Sequence, residues 1–311
     1  MPEGQSALIV CTLNRPTELK ACLVAASRAK QRPLFAVVVS ADETEQSRLA
    51  IDEAALECNW RIVHEPAPPG LARQRNLGIE RVLDLDSSVK VVHFLDDDVQ
   101  VTETYFEEID GAFRQLPEAV LIGGRDLSAE PYRPSVFGRI IGTHSLHQGA
   151  LLRSGYNAGY FSTTGLHSVD WITGCAQSFD LTRLQGVRFD PEIRFYGEEI
   201  DMHVRCSPLG QIVFCPDARF THAFSTAGRD ELRAAVMWGD CARWELCRRY
   251  PERFSRWRML WATSMHVTAS ALRGILPNSS NQRQYARGHG AFLKRLLLRR
   301  EMRQPVASWL R

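Results

Sequence analysis

An apolar run of strand length, Val91-Val92-His93-Phe94-Leu95, stops at three consecutive aspartates, Asp96, Asp97 and Asp98. Clustered carboxylates repel one another and are costly to desolvate unless a cation or hydrogen-bond donors offset them. Hard divalent cations supply that offset, usually binding one or two carboxylates together with phosphate oxygens of a substrate. Open α/β folds place their ligands beyond the carboxyl ends of the strands. The run therefore predicts a buried strand that ends at a metal–diphosphate site. A solvated acidic turn is the plain alternative for a lone D-x-D, and the rest of the chain has to decide.

The first half alternates β-rich runs with helical stretches. Strands are expected over Ala7 to Leu13, Phe35 to Val39, Trp60 to Val63, Val89 to Leu95 and Val120 to Ile122. Helices follow from about Pro16 to Ala29, from Gly70 to Leu85, and from an N-cap at Thr102 to about Leu116. Strand–helix alternation with continuous apolar strands implies a parallel sheet covered on both faces. Between Ser128 and Ser168 the pattern gives way to Gly, Pro, Ser, Thr and aromatic residues, a loop-rich insertion of the kind that is usually functional. Apolar runs resume at Trp171 to Phe179 and Gln211 to Phe214, and the chain turns helical from Asp230 to about Leu276.

Of the 311 residues, 44% are hydrophobic and 24% charged, which excludes global disorder. The formal charge of +2 is unevenly spread: Arg283 to Arg311 carries a net +7, leaving −5 for the first 282 residues. A basic tail on a mildly acidic body suggests an anionic surface. The eight cysteines show neither C-x-x-C pairs nor zinc spacing, and the opening Met1-Pro2-Glu3-Gly4-Gln5 lacks a charged n-region. Reduced thiols and a cytoplasmic location are expected. No run of 18 apolar residues suggests a spanning helix.

A second acidic cluster, Tyr196-Gly197-Glu198-Glu199-Ile200-Asp201, opens a helix-like pattern. Carboxylates at a helix N-terminus are favoured by the macrodipole, so capping alone explains them in isolation. Paired with the aspartates, they suggest a general base facing a metal–diphosphate site.

At this point the chain resembles family 2 glycosyltransferases of the GT-A fold. The resemblance rests on Cys11-Thr12-Leu13-Asn14-Arg15-Pro16 after the first strand, Gly70 to Gly78 as G-x-x-x-x-R-N-x-G, and Phe94 to Asp98. It continues through Gly174 to Phe179, Phe189-Asp190-Pro191-Glu192, Gly197 to Asp201 and Thr221-His222. It implies an α/β fold with a mixed nucleotide-binding sheet flanked by helices, a catalytic domain over residues 1–228, and a C-terminal helical appendage over 229–311. It also implies roles. Asp96 would bind the ribose of a nucleotide-sugar, with Asp97 in the same site, and Asp98 and His222 would hold Mn²⁺ or Mg²⁺. Thr12, Asn14, Arg15 and Arg75 would enclose the nucleotide. Glu199 stands where the family usually has a catalytic Asp, and Glu198 would hold the acceptor. Many relatives carry two Asp after the second strand, where this chain has Ser40 and Ala41, with Asp42 one residue later, or Ser40 more weakly, as the candidate base reader. UDP is the default nucleotide, with dTDP and GDP open.

Trp171 precedes the Gly174 loop and is a candidate acceptor wall, with ordinary packing as its alternative. The stretches Arg256 to Leu276 and Ala291 to Arg300 mix apolar and basic residues, which fits a helix at a membrane interface or one packed on protein. Nucleic acid is not expected, because no recognised module accompanies the basic tail. The expectation is a metal-dependent inverting glycosyltransferase of surface glycan biosynthesis, using a glycan or lipid-linked acceptor and peripheral on the inner face of the membrane. A sugar-phosphate nucleotidyltransferase and a non-catalytic carbohydrate-binding relative are the alternatives.

Overall fold

The structure is a computed structural model that describes residues 5–41, 46–193, 197–223, 231–276, 279–298, 300 and 302. In chain order its elements begin with β1 (Ser6–Thr12), α1 (Pro16–Ser27), β2 (Ala36–Ser40), α2 (Gln46–Cys58), β3 (Ile62–Pro66) and α3 (Leu71–Leu85). Next come β4 (Val91–Asp96), β5 (Val99–Val101), α4 (Tyr105–Gln115), β6 (Ala119–Asp126), α5 (Val136–Ile141) and β7 (His167–Ser168). The last are β8 (Ala176–Asp180), α6 (Leu181–Leu184), α7 (Glu198–Cys206), β9 (Gln211–His222), α8 (Leu232–Arg249), α9 (Arg256–Arg273) and α10 (Ser280–Leu297). They fall into two compact units. One is Met1–Glu130 with Ser162–Glu192 and Glu198–Ala227; the other is Pro131–Phe161 with Ile193–Gly197 and Gly228–Arg311.

The first unit holds a nine-stranded sheet in the order β3-β2-β1-β4-β8-β6-β9-β5, with β7 paired to β9. Strands β1 to β4 run parallel, and β2 is buried at every position, as strands covered on both faces require. Helix α3 lies on β1 and β2. Gly78 permits that approach: a Cβ there would stand 2.5 Å from Ile9 Cγ2. His93 sits in the middle of β4, its Nδ1 2.8 Å from Ser178 Oγ and its ring edge-on to Phe106. Burial pushes its pKa down to about 3, so it is a neutral core residue.

The sheet is mixed, as the resemblance implies, although the strand–helix alternation of the first half reads as parallel alone. Strand β8 runs antiparallel to β4 and β6, and β5 antiparallel to β9. Apolar content does not encode strand direction; the long connection before β8 sets it. Its consequence is functional. Ala176 lies opposite Leu95, so β8 begins where β4 ends, and Asp96 N–H donates to Cys175 O at 2.9 Å. The loop around Gly174 is thereby delivered to the aspartates.

In the second unit α8, α9 and α10 pack on one another and α5 packs on α9. Asp240, fully buried on α8, lies 2.6 Å from His289 Nδ1 of α10 and 3.1 Å from Arg243 Nη1, and the Arg243 guanidinium stands 4.1 Å over the Tyr156 ring. The region expected as a loop-rich insertion is thus partly built into this unit through Pro131–Phe161, where Ser135 caps α5 and Gly142 ends it at φ 78°. Helix α10 packs on α8 and α9 and buries Gly288, His289 and Phe292. Among the described residues no helix is long and apolar enough to cross a membrane. The tail beyond residue 302 lies outside them.

Candidate active site

Where β4 ends, the three aspartates go three ways. Asp97 turns inward, accepting from Thr12 Oγ1 at 2.7 Å and from Arg15 Nη1 at 3.0 Å. Burial raises its pKa to about 6, against the pull of Arg15 and Thr12. Asp98 is also buried, with Oδ1 2.9 Å from His222 Nε2 and Oδ2 3.6 Å from Arg15 Nη1. Asp96 stays partly exposed, 3.5 Å from Arg75 Nη2. The turn that presents Arg15 is made by Asn14 at φ 56°, a left-handed conformation that Asn tolerates better than most residues.

His222 is remote in sequence, yet strand register brings it here. Val99, the residue after Asp98, pairs with His222 across β5 and β9, and Ala223 N–H donates to Asp98 O at 2.9 Å. One ligand atom from each of Asp96, Asp98 and His222 then lie within 4.8 Å of one another. Two carboxylate oxygens and one imidazole nitrogen at that separation fit a divalent cation.

Three successive residues of α3 tie the site together, each leaving the helix on a different side. Gln74 donates to Thr12 O and Val39 O, holding the ends of β1 and β2. Asn76 clamps Phe189 through both its backbone groups, at 2.8 and 2.9 Å. Arg75, buried between the rings of Phe94 and Phe189, reaches Asp96, Gly174 O at 3.0 Å and Glu198 Oε1 at 3.3 Å. One guanidinium therefore links the aspartate cluster to the acidic N-terminus of α7.

At that terminus the two glutamates differ. Glu198 is buried, and its pKa is pushed up to about 8, first by burial and then by the charge of Glu199, with Arg75 opposing. Glu199 is half-buried, with its Cβ 3.6 Å from where a Cβ on Gly174 would stand. Trp171 is half-buried in the stretch between β7 and β8 that leads to Gly174. Asp42 lies outside the described residues. Near it, Ser40 Oγ at the end of β2 is 2.6 Å from His64 Nε2 of β3.

Gln177 is a supporting residue outside the motifs that mark the site in the sequence. Fully buried on β8, it donates to Gly174 O at 3.1 Å while its Oε1 meets His203 Nε2 of α7 at 3.1 Å. Its signal in the sequence is weak, because Gln177 adjoins Ser178 and shares its short strand with Asp180. Gln74 offered a similar signal, a polar side chain on the sheet-facing side of an amphipathic helix.

The sheet order, the strand-end aspartates and the acidic helix terminus define a GT-A glycosyltransferase fold. Residues 7–178 match the sequence family described as glycosyl transferase family 2, and the chain belongs to that family. No curated protein sequence matches it. Among solved structures it is similar to the mannosyltransferase PcManGT from Pyrobaculum calidifontis in complex with GDP-Man and Mn²⁺, at 13% identity and a TM-score of 0.61, over 96% of this chain and 88% of that one. It is also similar to GalNAc-T7 with UDP, GalNAc and Mn²⁺, at 13% identity and a TM-score of 0.56, over 94% and 56% of the two chains. TarS of S. aureus follows at 14% identity and 0.51, over 92% and 55%. At such identities the likeness is one of fold.

Proposed function

We propose that the protein is a metal-dependent, inverting glycosyltransferase that moves a sugar from a nucleotide-sugar to a saccharide or lipid-linked acceptor. The observation that carries this reading is Arg75, whose guanidinium stands between Asp96 on the donor side and Glu198 on the acceptor side. Asp96, Asp98 and His222 would hold the cation, and Thr12, Asn14 and Arg15 the nucleotide beside it. A cation bound there neutralises charge that builds on the leaving diphosphate. Mn²⁺ suits the imidazole in this ligand set better than Mg²⁺, which prefers an all-oxygen shell.

Inversion requires one in-line displacement. The acceptor hydroxyl loses its proton to the Glu199 carboxylate as its oxygen bonds to the anomeric carbon, and the bond from that carbon to the diphosphate oxygen breaks. The nucleoside diphosphate leaves with the electron pair. Glu198 is read as the neighbour that places the base and the acceptor, and Trp171 as a wall for the acceptor sugar. Asp42, or the Ser40–His64 pair, is read as the contact to the base, with a UDP-sugar as the first donor to try.

The test is release of nucleoside diphosphate from UDP-, GDP- and dTDP-sugars with Mn²⁺, with and without a saccharide acceptor. At least one donor should be turned over, with the anomeric configuration of the product inverted by NMR. Binding without turnover across donors and acceptors would favour a carbohydrate-binding relative instead.

A further inference from the structure

Helix α9 is inside out. Its buried residues are Met259, Ala262, Thr263 and Ser270, two of them hydroxylated. Its two tryptophans are exposed, Trp257 at 82% and Trp261 at 53%, as are Leu272 in its last turn and Ile275 and Leu276 just past its end. The spacing from Trp257 to Trp261 to Ser264 to Thr268 to Leu272 follows helical periodicity, so these residues form one stripe. A helix whose folding were driven only by burial within this unit would carry the opposite pattern. The stripe is also flanked by one sign of charge. Arg256, Arg258 and Arg273 are exposed beside it, and the sequence from Arg253 to Arg300 holds no Asp or Glu.

We propose that this face of α9 docks on an anionic lipid bilayer, lying in the interface rather than crossing it. Tryptophan is enriched at the headgroup level, where its ring is buried and its N–H stays wet. Basic residues at the rim meet the negative surface potential of anionic lipid. Neither α9 nor α10 carries an acidic residue that would oppose approach; exposed Glu252, four residues ahead of α9, is the nearest in sequence. A protein partner for so basic a face would itself have to be acidic, and two copies of the chain would bring like charges together. The helix is not apolar enough to insert across the bilayer, which leaves the surface mode. The proposal does not depend on the reaction assigned above.

Co-sedimentation of the full chain with phosphatidylcholine vesicles, with and without phosphatidylglycerol, tests it. The chain should bind the anionic vesicles, bind neutral ones poorly, and release as salt rises. The double variant Trp257→Ser/Trp261→Ser should lose about tenfold or more in partitioning, and Arg256→Gln/Arg258→Gln/Arg273→Gln a similar factor on anionic vesicles alone. Because these side chains are exposed, circular dichroism should be unchanged. As a check without substitution, brominated lipid should quench tryptophan fluorescence of the native chain. Undiminished vesicle binding by the Trp variant, or no binding by the native chain, would overturn the proposal. So would a dimer in light scattering that the Trp variant breaks while vesicles remain unbound.

Discussion

At the residue scale, the two glutamates at the start of α7 carry the most consequential assignments. Glu199→Gln keeps the shape and removes the proton acceptor, so kcat should fall by about 10² to 10⁴ with donor affinity retained. If Glu198→Gln instead gives the larger fall in kcat, the roles are exchanged; steady-state kinetics beside donor titration decides. Glu198 also predicts a pH dependence of stability. Its folded pKa of about 8 lies above the ordinary 4.5, so the native state holds a proton that the unfolded state has lost between those values. This group's contribution is therefore full below about pH 4.5 and is lost progressively as pH rises toward 8. Urea unfolding at pH 5 and pH 7.5 should show a smaller loss in Glu198→Gln than in the native chain. Equal losses would place Glu198 in an ordinary solvated environment. The aspartate cluster was legible in sequence because a strand ending in carboxylates is a costly pattern. Which aspartate faces which partner was not, since the inward turn of Asp97 onto Thr12 and Arg15 depends on loop geometry that no spacing encodes.

At the element scale, α3 is the brace of the site. Its Gln74-Arg75-Asn76 run holds two strand ends, the aspartates and the Phe189 segment, so its seat on β1 matters. Gly78→Ala would drive a methyl group into Ile9 and should cost about 1–3 kcal/mol. A shift of the urea midpoint at unchanged slope would show it, and an unchanged midpoint would mean that α3 is seated elsewhere. The early strands and α3 were readable from continuous apolar runs and amphipathic spacing. Strand β5 was missed because three residues give too short a pattern, although its pairing with β9 is what brings His222 to Asp98. The antiparallel sense of β8 was equally hidden, since Ala176 to Phe179 would pack as well in either direction. An apolar, basic C-terminal portion is legible in the sequence, but only the fold distinguishes the buried face of α10 from the outward-facing stripe of α9.

At the scale of the whole molecule, labour is divided between two units. The first carries the sheet and every described residue assigned to the reaction; the second is helical and carries the basic, tryptophan-bearing face. Residues Pro131–Phe161 belong to the second unit although they interrupt the first in sequence, so a boundary drawn at 228/229 separates them from the helices they join. That assignment rests on contacts between segments far apart in the chain, such as Arg243 over Tyr156, which no local pattern announces. The central claim is that Asp96, Asp98 and His222 bind a cation that makes nucleotide binding possible. Calorimetric titration of UDP, GDP and dTDP into the native chain and Asp98→Ala, with and without Mn²⁺, addresses it directly. At least one nucleotide should bind the native chain in a Mn²⁺-dependent manner, and Asp98→Ala should weaken that binding by about a hundredfold while remaining folded. Binding that is equally tight without the cation, or undiminished in Asp98→Ala, would contradict the account.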